Sequence, residues 1–311
     1  MSYDELMQHA KDIQKKAVEK EGMDQAKVNA QATGGQGVPA PVDYDKIEQK
    51  YAYIPGLFEP FSRLPDPAGF EPLIDDLQKA MGDLATGATS NPLAKDVNFA
   101  NPKLDKMTTA GGYLQGWTGD AAMAFKENFI DPFKTIANNQ FTMVSTMKGA
   151  LEAHQALWKK AREDIDKIAH TTKDALDNAG GCGKNEWSFG FSVLSAVGAV
   201  GGVLLTVATG GTGAAVAIPA IGALASVGSA GVAGITASGD SAEEITKSMK
   251  EAVDKLTQHI KDVESKEIAE KVQGILSAAN GAKDQLVAKR PKLAGMDDGQ
   301  LTGDGGMGRS D

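Results

Sequence analysis

The chain is poor in the residues that carry chemistry. Its 311 residues include one cysteine, Cys182, four histidines and 6 % aromatics. One thiol cannot close an internal disulfide, so no disulfide framework holds the fold and cysteine usage says nothing of the compartment. His9, His154, His170 and His259 are scattered, and none stands at metal-ligand spacing from a second ligand, so no metal is expected. His154 falls beside an apolar stripe, where a packing role is expected. There is no GxSxG and no P-loop. The short "GAVGG" at 198–202 lacks the preceding strand and following acid of a dinucleotide loop. No catalytic residue and no cofactor is therefore expected, and the chain reads as a non-enzyme.

Basic charge is also short. The net charge of −9 argues against nucleic-acid partners, which need a basic surface, and against electrostatic docking on anionic lipid. Apolar insertion into a membrane stays open. The first residues, "MSYDELMQHAKDIQKKAVEKEG", lack the apolar run of a signal peptide. The expectation is a protein that stays inside or leaves, without a cleaved leader, by a route that accepts folded chains; membrane association is the alternative.

Charge of both signs is missing from one long stretch. Residues 187–239 hold no Asp, Glu, Lys, Arg or His. Two apolar runs, 187–209 and 214–237, have about membrane-spanning length and are parted by "GGTG". Small residues recur every fourth position: Gly198 and Gly202 in the first run, and Gly222, Ser226, Ala230 and Gly234 in the second. That spacing lets helix backbones approach closely, in protein or in lipid. Gly and Ala dilute the large apolar residues, so insertion would be weaker than for a dedicated spanning helix. Three environments fit: a standing membrane hairpin, a hairpin buried in a soluble form and exposed later, or a tightly packed soluble pair.

Helical periodicity dominates elsewhere, and no segment alternates convincingly as a strand. Residues 2–28 predict a polar helix with a thin stripe of Leu6, Ala10, Ile13 and Ala17, begun by a Ser2/Glu5 capping box; alone it is marginal and should dock on something or fray. The proline- and aromatic-rich segment 53–72 predicts an extended strap. Residues 71–87 predict a helix with Leu73, Leu77, Ala80, Met81 and Leu84 inward. Asn101 and Pro102 open a short helix, and Asp120 is expected to cap a long one. That helix carries Phe125, Phe129, Phe133, Ile136, Met143, Met147, Leu151, Trp158, Ile165, Ile168 and Leu176, and Pro132 should kink it or split off its first turns. A returning helix runs from about 241 to 288 on Ile245, Met249, Ala252, Leu256, Ile260 and Val263. A five-residue step then leads to Ile268, a phase shift. Acid-before-base pairs such as Glu243 with Lys247 line its exposed face.

The fold class expected is all-α: an elongated helical bundle with long antiparallel amphipathic helices and a Gly/Ala-rich hydrophobic helical hairpin. Its parts are an N-terminal helix and Pro/Gly-rich linker (1–70), a helical hairpin (71–182), the hydrophobic hairpin (183–239), the returning helix (240–290) and a disordered tail (291–311).

The turn of the first hairpin reads "GWTGDAA". Trp117 can plug the end of a hairpin core while Gly119 permits the tight turn. This setting, a short helix, a WxG turn and a long helix opening on Ala121 and Ala122, resembles the WXG100 (ESAT-6-like) superfamily over roughly residues 71–178. The resemblance implies association with type VII (ESX) secretion, recognition as a four-helix bundle with a WXG100-like partner, and export without a signal peptide. Two departures stand out. The loop at 88–100 interrupts the first helix. The family's Y-x-x-x-[DE] signal normally follows the second helix, whereas "YDKIE", with Tyr44 and Glu48, precedes the hairpin. The layout of long helices around a charge-free hairpin also resembles α-helical pore-forming toxins of the haemolysin-BL/cytolysin-A group. The expected function is a secreted, type VII-associated, non-enzymatic protein that meets membrane lipid conditionally through its hairpin and can homo-oligomerise. The alternative is a scaffolding or stably anchored helical protein without toxic activity.

Overall fold

The computed structural model describes residues 3–32, 37–86, 89–90, 97–98, 101–113, 116, 118–179, 186–189 and 235–288. These residues are mostly helical, as periodicity predicts. They form two compact units. One takes those within Met1–Pro67, Gln155–Ser195 and Gly228–Ser265, and the other those within Ala68–His154 and Lys266–Asp311.

In the first unit, helix α1 (Tyr3–Ala32) buries its thin stripe: Leu6 is 2 % exposed, and Ala10, Ile13 and Ala17 are fully buried. Two of these four residues are alanines and leave little apolar area, so the helix depends on close approach to its neighbours rather than on propensity. Among those neighbours are α2 (Tyr44–Tyr51), α3 (Ile54–Phe58) and α8 (Ala242–Asp262). Asp43 caps α2 by accepting from the Lys46 backbone N–H. Ile47, Tyr51, Ile54, Phe58 and Phe61 are all buried.

The strap expected from 53 to 72 is not extended. It winds through α3 and two 3₁₀ turns, Glu59–Arg63 and Pro67–Phe70, directly into α4 (Glu71–Leu84). Four of its five prolines, Pro55, Pro60, Pro67 and Pro72, fall in first turns, where a missing N–H costs nothing, so they start helical segments instead of preventing them. Arg162 of α7 (Asp131–Asn178) donates to the Leu64 and Pro65 carbonyls and Gln155 donates to that of Pro67, pinning the non-helical stretch between the turns.

The stripes of α7 and α8 complete this core with Leu157, Trp158, Ala161, Ile165 and Ile168, and with Ile245, Met249, Ala252, Leu256 and Ile260. The five-residue step after Val263 is a π-helical segment, Val263–Ala269. An i→i+5 turn absorbs one extra residue, and both Val263 and Ile268 remain buried.

In the second unit, Met81 and Ala85 at the end of α4 pack on Phe141 of α7, with Leu84 and Val144 against them. Leu73, expected inward, is 53 % exposed; the last turn of α4 carries the contact. A two-stranded ribbon, β1 (Thr89–Ser90) with β2 (Val97–Asn98), lies within the loop at 88–100. Asn101 caps α5 (Pro102–Tyr113) as expected, accepting from the Lys103 backbone N–H, and its own backbone N–H donates to the Ala85 carbonyl.

Helix α6 (Asp120–Phe125) is capped by Gly119 rather than Asp120. A π-helical turn, Lys126–Ile130, then precedes α7. Pro132 does split off the first turns: it lacks the N–H to continue the ladder, and the π turn accommodates the break. The buried face of α7 here is more polar than its stripe implied. Asn139, Ser145, Thr146 and Lys148 are buried while Met147 is 46 % exposed. Thr142 and Thr146 hide their hydroxyls by donating to carbonyls four residues back. Asn139 and Gln140 donate to the Gln285 and Leu286 carbonyls, closing the end of α10 (Lys283–Leu286), which follows α9 (Glu270–Gly281).

The outer ends of the two apolar runs depart from the helix expected there. Residues expected as helix are strands: β3 (Glu186–Phe189) pairs antiparallel with β4 (Ile235–Ser238). Aromatic and β-branched residues, Trp187, Phe189, Ile235 and Thr236, suit a paired ribbon better than a helix end.

Candidate functional site

The ribbon makes the two ends of the charge-free stretch neighbours. Glu186 is opposite Ser238, Trp187 opposite Ala237, Ser188 opposite Thr236 and Phe189 opposite Ile235. The stretch between them therefore starts and finishes at one place.

The return into α8 is tightly built. Ser241 caps the helix, its hydroxyl accepting from the Glu244 backbone N–H at 3.2 Å. Glu244 reaches back to accept from the Asp240 backbone N–H, also at 3.2 Å, which is a capping box displaced by one residue. A Cβ on Gly239 would lie 2.6 Å from the Glu244 Cβ and 2.7 Å from its Oε2. Only glycine leaves room for the Glu244 side chain to fold over the chain at that point.

The first turn of α8 is then tied to α1 and α2. Lys50 Nζ donates to Glu243 Oε2 at 2.8 Å and to Glu21 at 2.8 and 2.9 Å, and it lies 5.3 Å from the Tyr51 ring centroid. Tyr51, 1 % exposed, donates its phenol hydrogen to the same Glu21 carboxylate. Burial raises the Tyr51 phenol, and the Glu21 carboxylate raises it further. Burial works against the Lys50 charge, but the hydrogen bonds it donates to Glu21 and Glu243 outweigh that and hold the ammonium above its ordinary range. Lys50 in turn lowers Glu243. Glu243, which sequence spacing paired with Lys247 on its own helix, here binds across helices. A cleft of about 610 Å³ lies alongside, with Asp24, Gln25 and Val28 of α1 on one wall and Ser241, Glu243 and Lys247 on the other. This arrangement suits anchoring. Its carboxylates face a lysine and a phenol, which tie three helices together.

Among residues expected from sequence to matter, Gly119 has φ +108° and ψ 162°, a conformation that side chains other than hydrogen rarely adopt. This gives the glycine of the WxG turn a backbone reason. Trp117, Gly198, Gly202, Gly222, Ser226, Ala230 and Gly234 lie outside the described residues. Tyr44 and Glu48 sit on α2, with the Tyr44 ring against Gly22 of α1. His154 lies edge-on to Phe70 at 6.1 Å.

The sequence placed no histidine beside a second ligand. The structure brings His9 of α1 together with Asp166 and His170 of α7. Half of the signal was local, since Asp166 and His170 are four apart and share a helix face. The other half, His9, lies far away in the chain and is visible only once α1 has docked.

No protein-family model, no curated protein and no solved structure matches the chain.

Proposed function

We propose that this is a non-enzymatic, type VII secretion-associated helical protein that leaves the cell without a cleaved leader and acts at a membrane through the charge-free stretch. In this reading the long helices form an antiparallel rod, and residues 190–234 form a Gly/Ala-rich helical hairpin at its tip, packed through Gly198, Gly202, Gly222, Ser226, Ala230 and Gly234. Its partners are membrane lipid, met conditionally, the type VII machinery or a WXG100-like protein, and further copies of itself.

The observation that supports the reading is the pairing of Phe189 with Ile235. An insertion hung on a two-stranded neck can change its environment without unravelling the helices on either side. The neck is anchored to the helical body through Glu243 and Lys50. No helix among the described residues is long and apolar enough to cross a membrane, so the reading assigns lipid contact to the stretch beyond the neck. Burying its apolar area would supply roughly 25 cal/mol per Å².

The test exploits the register. Because Phe189 and Ile235 are direct partners, an Asn-Gly turn in place of residues 190–234 closes the ribbon as a two-residue hairpin. The shortened chain should keep its helical circular dichroism and lose dye release from, and flotation with, phosphatidylcholine/phosphatidylglycerol vesicles. Equal release by the shortened and full chains removes the membrane role. Secretion that continues in the host after deletion of its type VII ATPase removes the secretion role.

A further inference from the structure

Helix α1 lies along the last third of α7 with its side chains in step. Lys16 pairs with Asp177, and Lys173 lies 3.7 Å from Asp12. One turn before these pairs, at the same offset, stand His9 and His170, their ring centroids 4.4 Å apart and tilted by 58°. Asp166, one turn back on α7, completes a group in which one ligand atom from each residue lies within 4.8 Å of the other two.

Ordinary side-chain pairing does not account for this group. His9 Nδ1 is shut off from solvent and has no hydrogen-bond partner. Asp166 Oδ1 is equally buried and equally lacks a hydrogen bond, although His170 Nε2 is only 3.3 Å away. Two polar atoms held that close without an aligned bond leave a desolvation cost uncompensated. Bonds of about 2.0–2.1 Å to a tetrahedral ion put neighbouring ligand atoms about 3.3 Å apart, the separation between His170 and Asp166.

We propose that His9, Asp166 and His170 bind a divalent transition-metal ion of the zinc class, which clasps α1 to α7. Two imidazole nitrogens and one carboxylate oxygen suit zinc, whereas calcium and magnesium prefer a set of oxygens. The His170 side chain is 55 % exposed, which leaves a path for the ion and a fourth position for water. The pairs of Lys16 with Asp177 and Lys173 with Asp12 hold the two helices in register, so most of the site is formed before the ion arrives.

The test uses the full, tag-free chain stripped by a chelator and titrated with zinc chloride by calorimetry. One equivalent should bind, and the melting temperature should rise with zinc. His170→Gln should abolish both effects, and its exposed position keeps the packing intact, as circular dichroism would verify. His9→Gln should do the same, and Asp166→Asn should weaken binding by more than about tenfold, since even outer-shell partners are worth that much. Cobalt(II) in place of zinc should give a visible ligand-field band that His170→Gln removes. Absence of a zinc equivalent, or binding of unchanged affinity in His170→Gln, overturns the proposal.

Discussion

The phenol of Tyr51 donates a hydrogen bond to the carboxylate of Glu21, thirty positions earlier in the chain. The bond joins the end of α2 to the middle of α1 in the first unit, and Lys50 donates to both oxygens of the same carboxylate. Tyr51→Phe keeps the buried ring and removes only the charged hydrogen bond. The expected loss is about 1.5–3 kcal/mol, the usual range for a bond to an ionised group. Guanidinium unfolding should show the change in midpoint at constant slope; an unchanged midpoint would mean that Lys50 alone satisfies Glu21.

The pH dependence follows from the same cluster and from His259. Lys50 and Tyr51 are both raised in the folded chain, from ordinary values of 10.5 and 10.0. A raised group contributes fully below its unfolded value, and the contribution is lost as pH climbs toward the folded one. Stability should therefore decline from about pH 10 upward, and Tyr51→Phe should soften that limb. On the acid side, burial lowers His259 from 6.5, opposed by Asp262, while Lys50 lowers Glu243 from 4.5. Contributions from lowered groups are present above the unfolded values and vanish as pH falls. A first decline should begin below pH 6.5 and a second below 4.5. His259→Gln should remove the first and spare the second, measured as the denaturation midpoint against pH.

Legibility in the sequence followed the range of the interaction. The step of five between Val263 and Ile268 announced the π-helical segment, because the apolar register of a helix is a local property. The stripe of Leu6, Ala10, Ile13 and Ala17 marked the face of α1 that is buried. The prolines of 53–72 misled: a proline forbids a helix interior but favours a first turn, and composition does not distinguish the two. Glu243 shows a further limit. Spacing offered Lys247 on its own helix, but the structure gives it Lys50 from α2. The His9, Asp166 and His170 group was unreadable for the same reason, since one of its members comes from the other end of the unit's chain path.

Gly119 carries a requirement of backbone rather than of space. With φ +108° and ψ 162° it occupies a region essentially reserved for glycine, and a Cβ there would touch nothing within 4 Å. Gly119→Ala should therefore cost about 1–3 kcal/mol through strain alone. Gly112→Ala in α5, also with open space around it, should instead stabilise by up to about 1 kcal/mol. Thermal melts of the two variants should move in opposite directions; movement of both upward would refute the strained turn.

Gly22 tests the docking of α2 on α1. It lies inside α1, where alanine is worth about 0.5–1 kcal/mol over glycine. A Cβ at this position would meet Tyr44 Cε1 at 2.5 Å and Cζ at 2.9 Å. The Tyr44 ring is half exposed and can swing outward, but only by giving up its packing on α1. Gly22→Ala alone should thus gain less than the helix preference. In a Tyr44→Ala background the same change should deliver the full amount, and the coupling between the two positions should be positive in a double-mutant cycle. Equal gains in both backgrounds would mean that the ring does not rest on the Gly22 α-carbon. The aromatic residue of "YDKIE" would then be available on the surface instead of being engaged by its own chain.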